Sequence, residues 1–386
     1  MILKFRFRYI LKCLRFFFTD YFLLLNKKKI TASESSLIIV HTDAIGDYIL
    51  FRNFIEQIKN SEKYKTHNIT LIANELYKDI AQNFDSEFVN EFIWINKSKF
   101  QFDFNYRKII LKSIANKQFS VAINPSYSRD FIFGDSIMRA INANEKIGQK
   151  ADLSNGYSLF RLLSNFWYTQ LIDTGNEIQF EFDRSKKFIE KLIEAAVNLN
   201  FPVIFLKNKE TDLQPYIVLF PGAGEVQKQW SIDNFVTCAK HIINNTKLKI
   251  IICGSVNDFP LGEIIIAKCC NDQITNLCGK TSLTELINYI NHAELLITND
   301  SSAIHIAACT HTVSICIGNG RHYGRFTPYP KDIAPFLHFV FSKNVVKMAE
   351  SDVENLKKQT LYHSIESINE IGANEVINIC NNLLKI

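Results

Sequence analysis

The stretch Tyr216-Ile217-Val218-Leu219-Phe220-Pro221-Gly222-Ala223-Gly224-Glu225-Val226-Gln227-Lys228-Gln229-Trp230 sets five consecutive apolar or aromatic residues before a glycine-bearing turn and a lysine. A short apolar run closed by Pro and Gly reads as a strand buried on both faces, as in parallel sheets. The turn lets the backbone N–H groups of Gly222, Ala223 and Gly224 approach a phosphate, with Lys228 as the cation that a diphosphate needs. The pattern is neither the G-x-G-x-x-G fingerprint nor a P-loop. An ordinary strand-to-helix loop with a solvated lysine fits it equally.

The same alternation recurs on both sides. Downstream, strands over 248–253, 274–276, 295–298 and 312–317 alternate with helices over 232–245, 261–269, 283–291 and 303–310. Upstream, after the polar Ser33-Glu34-Ser35-Ser36, strands over 37–41, 68–73, 91–95 and 119–124 alternate with helices over 47–59, 75–82, 106–116 and 131–142. Alternating strands and helices specify the α/β class. Two such series predict two Rossmann-like, doubly wound parallel-sheet domains facing a cleft. The expected boundaries are 1–35 for a basic amphipathic segment, 36–205 for the first domain and 206–386 for the second. A last helical pattern, over 367–384, is expected to pack back on the first domain. Ligands in such sheets bind beyond the carboxyl ends of the strands.

Three more loops occupy such ends. In His41-Thr42-Asp43-Ala44-Ile45-Gly46-Asp47, Gly46 permits a tight turn and Asp47 begins a helix, either as its cap or as a general base aimed into the cleft. In Asn299-Asp300-Ser301-Ser302-Ala303-Ile304-His305, the serines cap a helix whose N-terminus is also an anion site, and His305 is a packed histidine or a catalyst. Arg321 and Arg325, after the 312–317 strand, are phosphate clamps or surface arginines. No D-x-D pair and no histidine spacing supports a metal site.

The chain has 386 residues, 47% hydrophobic and 22% charged, which leaves room for two domains and excludes disorder as its main state. No run approaches the ~18 apolar residues of a membrane span. Residues 1–29 hold eight bases (Lys4, Arg6, Arg8, Lys12, Arg15, Lys27, Lys28, Lys29) against Asp20, a balance of +7, so the chain's net +5 leaves −2 for the remainder. The surplus belongs to this segment, which argues against nucleic acid as a partner. Its many aromatic residues suit an interfacial anchor on anionic lipid. The alternatives are an amphipathic helix packed on the body and a signal peptide ending near Thr31-Ala32-Ser33. Nine cysteines without a C-x-x-C pair read as the reduced thiols of a cytosolic protein.

As an ordered set, four pieces resemble glycosyltransferase family 9, the heptosyltransferase-like enzymes of lipopolysaccharide core assembly. They are Asp43-Ala44-Ile45-Gly46-Asp47; Pro221-Gly222-Ala223 with Lys228 and Trp230; Leu277-Cys278-Gly279-Lys280-Thr281-Ser282-Leu283-Thr284-Glu285-Leu286; and Asn299-Asp300 with His305-Ile306-Ala307-Ala308. The resemblance spans residues 36–330. It implies the GT-B fold, with the nucleotide sugar held by the C-terminal domain and the acceptor by the N-terminal one. It implies an inverting, metal-independent transfer of a sugar, heptose from ADP-heptose, to a lipopolysaccharide core or related lipid-linked glycan. No cofactor is implied, the nucleotide sugar being a substrate.

Carried over by residue, the resemblance makes Asp47 the base for the acceptor hydroxyl, with Asp43 and Gly46 on the acceptor side. Lys228 neutralises the departing diphosphate, beside Gly222, Ala223, Gly224 and the helix start Asp300, Ser301 and Ser302. Asp258 meets the nucleotide ribose, and His305 belongs to the same nucleotide-sugar site. Expelling a nucleoside diphosphate needs fixed positive charge as the glycosidic bond breaks. A retaining route would need a second carboxylate close by, and Asp43 is the only near candidate.

Two positions depart from the family's pattern: Ser302-Ala303 stands where Gly-Pro is common, and His41 where Lys or Arg is frequent. The first leaves open a non-catalytic nucleotide-sugar-binding or scaffolding protein of GT-B fold. A GT-B-type epimerase is a third reading. The expected location is cytoplasmic, peripheral to the inner face of the bacterial inner membrane, with the membrane surface met through residues 1–29.

Overall fold

A computed structural model describes residues 2–25, 35–155, 157–206 and 214–386, with residues 2–8 by backbone alone. Lys27, Lys28 and Lys29, the Thr31-Ala32-Ser33 stretch and the side chains of Lys4, Arg6 and Arg8 lie outside the described residues. The chain divides into two compact units, Met1–Glu177 with Asp183–Asn198 and Ile178–Phe182 with Leu199–Ile386.

The first unit contains β1 (Ser36–His41), β2 (Asn68–Asn74), β3 (Glu91–Ile95), β4 (Gln118–Asn124), β5 (Asn142–Gln149) and β6 (Gln170–Ile172), in the sheet order β3-β2-β1-β4-β5-β6. The second contains β7 (Tyr216–Phe220), β8 (Lys249–Ile252), β9 (Ile274–Asn276), β10 (Leu295–Asn299), β11 (Ser314–Ile317) and β12 (Leu337–Val340), in the order β12-β11-β10-β7-β8-β9. All neighbouring strands run parallel. Numbered within its own half, each sheet has the 3-2-1-4-5-6 order of a Rossmann fold, reversing once, between β1 and β4 or between β7 and β10.

Helices α1 (Ile2–Leu24), α2 (Ile45–Phe51), α3 (Asn53–Asn60), α4 (Lys78–Phe84), α5 (Lys97–Phe102), α6 (Phe104–Ala115), α7 (Gly134–Ala140) and α8 (Ser158–Asn165) belong to the first unit, and α9 (Glu181–Ile193) follows. The second carries α10 (Ile232–Asn245), α11 (Phe259–Cys269), α12 (Leu283–Asn291), α13 (Ser302–Thr310), α14 (Lys343–Ser351), α15 (Val353–Thr360) and α16 (Ala373–Leu384). Central strands are apolar and buried, β7 along its whole length and β1 from Leu37 to Val40, as strands covered on both faces must be.

Three strands escape a reading by apolar runs. β5 is the polar Asn142-Ala143-Asn144-Glu145-Lys146-Ile147-Gly148-Gln149, made a strand by its ladder to β4, and β6 and β12 are short edges. The helix expected over 131–142 is therefore shorter, since residue 142 already pairs in the sheet. The helix expected over 47–59 breaks at Arg52, where Ile55 N–H bonds the Arg52 carbonyl at 3.0 Å and tightens the turn. The terminal helix also departs from expectation: α16 belongs to the second unit, where Val376 and Cys380 join its core and His241 meets Asn381 at 2.7 Å.

The N-terminal helix packs on the body through one face. Cys13 and Phe16 enter the core of the first unit. Asp20 accepts from Arg107 Nε at 2.8 Å and Nη2 at 2.5 Å, and from Ser136 at 2.6 Å. The Arg107 guanidinium lies between the rings of Phe16 and Phe100, at 4.2 and 4.3 Å. Among the described residues no helix is long and apolar enough to cross a membrane.

Candidate active site

The loops singled out by sequence follow β1, β7 and β10, so they sit where strand order reverses in each sheet, the usual place for a ligand. Each unit is considered on its own.

In the second unit, β7 leads into the Pro221–Gly224 turn and a 3-10 turn, Val226–Lys228. Asn299, at the end of β10, fastens both ends of this loop: its Nδ2 donates to the Pro221 carbonyl at 2.7 Å, and its Oδ1 accepts from Trp230 N–H at 3.1 Å. Trp230 Nε1 is anchored in turn on the Ile371 carbonyl at 2.7 Å. The loop thus carries Lys228 to Asp300, with Nζ to Oδ2 at 2.7 Å; Asp300 is buried, and the lysine side chain keeps 18% exposure. Ser301 caps α13, its hydroxyl accepting from Ala303 N–H at 3.3 Å. Lys228, Asp300, Ser301 and the glycine loop are therefore brought together, and Ser302 opens the helix beside them.

Asp258 and His305 are placed differently. Asp258 is buried against the loop, its Oδ2 accepting from Ser255 N–H at 2.8 Å and Ser255 Oγ at 2.7 Å. A Cβ on Gly222 would come within 2.4 Å of that carboxylate. Gly222→Ala is accordingly expected to cost about 1–3 kcal/mol by overpacking, measured as a lower melting temperature, and Asp258→Ala in the same chain should recover part of it. His305 is buried with Nδ1 on the Tyr329 hydroxyl at 2.7 Å; burial pulls its ring down to about 4, so it is neutral at pH 7. Its position one turn into α13 turns it inward, because that helix is buried on nearly every side.

The 277–286 motif has a structural account as well. Gly279 (φ +71°) fits a turn in which a Cβ would meet the Val256 backbone at 2.7 Å, and Ser282 with Glu285 forms a capping box on α12. Arg325 is not presented as a phosphate clamp: its guanidinium pairs with the largely buried Glu181 at 2.8 Å. Arg321 pairs with Glu225 of the glycine loop. The buried Nδ1 of His322, in the same loop, has no hydrogen-bond partner among the described residues, and its ring is held near 4 by burial and by Arg325 and Arg321.

In the first unit, Gly46 and Asp47 lie inside α2. The Asp47 carboxylate accepts from Ala44 N–H at 3.2 Å, at the helix start. Asp43 accepts from the Ser126 hydroxyl beyond β4, and its carbonyl accepts from Asn74 at 3.1 Å. His41 is buried, stacked on Phe51 and bonded to Tyr77. Burial lowers its pKa and keeps it neutral, so it does not supply the cation that Lys or Arg would.

Sequence reading missed two charged groups at this edge. Asp130 follows β4; burial raises its pKa, Ile132 N–H and Lys97 oppose the rise, and Asp43 adds to it. Lys97, just past β3, has its ammonium 4.5 Å from the Phe133 ring centroid. Both follow strand ends, the one signal that could have pointed to them. Among the described residues no group of three His, Cys, Asp or Glu is placed to hold a metal ion.

Two parallel sheets of this order are matched by known proteins. The structure of Escherichia coli heptosyltransferase WaaC with ADP-2-deoxy-2-fluoro heptose superposes with a TM-score of 0.67 at 14% identity, covering 90% of this chain and 99% of that one, which shows the GT-B fold. Lipopolysaccharide heptosyltransferase 3 of Escherichia coli K12 is 31% identical over 122 residues, 31% of this chain and 36% of that protein. Lipooligosaccharide heptosyltransferase 2 of Haemophilus influenzae is 28% identical over 169 residues, 42% of this chain and 48% of that protein. The matches thus span between a third and a half of these curated relatives. The model of glycosyltransferase family 9 (heptosyltransferase) fits residues 136–351, more than half of the chain, taking in the Lys228–Asp300 pair and leaving out the 43–47 loop. On that match, and on the fold that carries it, the chain belongs to glycosyltransferase family 9.

Proposed function

We propose that the protein transfers a sugar from a nucleoside-diphosphate donor, ADP-heptose, to a lipid-linked saccharide of the lipopolysaccharide core, with inversion and without a catalytic metal. The observation that carries this reading is Lys228, held 2.7 Å from Asp300 beside a glycine turn and the start of α13, where its ammonium is reachable by a diphosphate. Family membership and the ADP-heptose analogue borne by the WaaC structure support the donor.

In this mechanism Asp47 takes the proton of the acceptor hydroxyl, whose oxygen attacks the anomeric carbon from the face opposite the diphosphate. The bond from that carbon to the diphosphate oxygen breaks, and the oxygen keeps the electron pair. Lys228 and the N–H groups at the start of α13 stabilise that charge as it grows. Before the donor binds, Asp300 neutralises the ammonium; the diphosphate then shares it. The lipid-borne acceptor places the protein at the inner face of the bacterial inner membrane, with α1 toward the lipid.

The test is turnover by purified protein in EDTA against a panel of nucleotide sugars, with heptose-deficient core lipid as acceptor. Acceptor-dependent release of ADP is the expected result. Tight donor binding without turnover would move the assignment to a nucleotide-sugar-binding protein, and product without acceptor would move it to an epimerase. Lys228→Ala should lower kcat by about a hundredfold or more, the loss typical of one preorganised donor to a developing anion, and should weaken ADP binding measured by calorimetry.

A further inference from the structure

The first unit carries an apolar surface that sugar transfer does not use. With Cys13, Phe16 and Asp20 turned inward, α1 leaves Leu11, Leu14, Phe18, Tyr21, Phe22 and Leu25 exposed at helical spacing on its other side, Phe22 by 67%. Helix α8 repeats the arrangement. Phe160, Arg161 and Ser164 are buried, while Leu159, Leu162 and Phe166 stand out at i, i+3 and i+7, exposed by 60%, 59% and 82%.

The two helices run side by side in the same direction. At one end, the Tyr9 ring meets Tyr157 at 5.4 Å, and its hydroxyl donates to the Asn155 carbonyl at 2.9 Å. Two turns further along α1, the Arg139 guanidinium sits 4.7 Å from the Phe17 ring centroid and 5.0 Å from that of Trp167, just past the end of α8. The two outward stripes therefore flank one another and make a plane rather than a line. On the other flank, Lys12 lies 5.9 Å from the ring of Phe102, which is 77% exposed.

The charge that α1 itself presents on this face is positive. Arg15 sits among the exposed residues of α1 and Lys12 is half-buried at its edge, while the segment's only acid, Asp20, is committed inward to Arg107. A stripe of leucines and aromatic rings edged by cations, with no acid on the helix to repel phosphate, has the chemistry of an interfacial helix on anionic lipid. We propose that α1 and α8 together form the face by which the first unit rests on an anionic bilayer, α8 being a second lipid-contacting helix inside the folded domain. The inference rests on the reading of a lipid-linked acceptor and adds the residues that would meet the membrane.

The test is flotation of the full chain with vesicles of phosphatidylethanolamine and phosphatidylglycerol, and with phosphatidylcholine alone. The variants are Leu159→Ser/Leu162→Ser/Phe166→Ser on α8 and Phe18→Ser/Phe22→Ser on α1. Withdrawing one Leu or Phe from lipid is expected to lower partitioning by about tenfold. The α8 variant should therefore bind anionic vesicles at least about a hundredfold more weakly, with its melting temperature and its ADP release on a soluble acceptor unchanged. Wild-type binding should prefer the anionic vesicles and weaken with salt.

An α8 variant that floats as well as the wild type would overturn the proposal. So would a lipid-free wild-type oligomer that the same variant converts to monomers, since the face would then meet a second copy. Vesicle binding that depends on both helices, in a protein that turns over no donor, would leave the lipid face standing and remove the transfer reading alone.

Discussion

Asp47→Asn is expected to lower kcat by about a thousandfold, the middle to upper range for loss of a positioned general base, while leaving the fold and the affinity for ADP almost unchanged. The asparagine keeps an oxygen for the Ala44 N–H, 3.2 Å away in the wild type, and the charge lost at a helix start is worth about 0.3–1 kcal/mol. The residues assigned to the nucleotide lie in the second unit, whereas Asp47 lies in the first, so ADP titration by calorimetry should match the wild type. Turnover within tenfold of wild type would remove Asp47 as the base. Attention would then pass to Asp130, whose carboxyl is raised by burial beside Asp43.

Asp20→Ala should strongly destabilise the first unit. Arg107 is buried and donates two hydrogen bonds to that carboxylate, and removing one partner of a buried pair costs about 3–5 kcal/mol because the remaining charge stays desolvated. The expected effect is undocking of α1, read as loss of amide-exchange protection along the 9–24 backbone and as a lower urea midpoint. Replacing both partners with apolar residues, Asp20→Leu with Arg107→Met, should recover most of the loss, since such pairs are often matched by hydrophobic packing. If the single variant were as stable as the wild type, the pair would contribute nothing to docking. The same result bears on the membrane: truncating residues 1–29 would expose Arg107 and unseat the core around Cys13 and Phe16, so point changes on the outer stripe are the cleaner probe.

Both sheets were legible where strands are central. The runs around Ile38, Leu71, Ile217 and Ile297 are apolar because helices cover both of their faces, and burial writes itself into composition. The polar β5 became a strand through pairing with β4, a property of its neighbour rather than of its own residues. Likewise the Lys228–Asp300 contact was foreshadowed by two loops that each follow a strand, and the strand-order reversal between β7 and β10 brought them together.

What the amino-acid sequence determined by itself was therefore local: apolar strand runs, glycine turns, capped helices, and a basic aromatic segment at the start. The tertiary structure decided which charges meet. Asp20 reads as a lone acid that interrupts an apolar stretch until Arg107, 87 residues away, closes on it. His305 reads as a packed histidine or a catalyst until Tyr329 takes its ring nitrogen, and Asp258 as an acid for the nucleotide ribose until Ser255 and Gly222 enclose it. Pattern follows from burial and backbone conformation, which neighbours along the chain report; pairing energies depend on separations of a few ångströms between residues that only the folded sheets bring together.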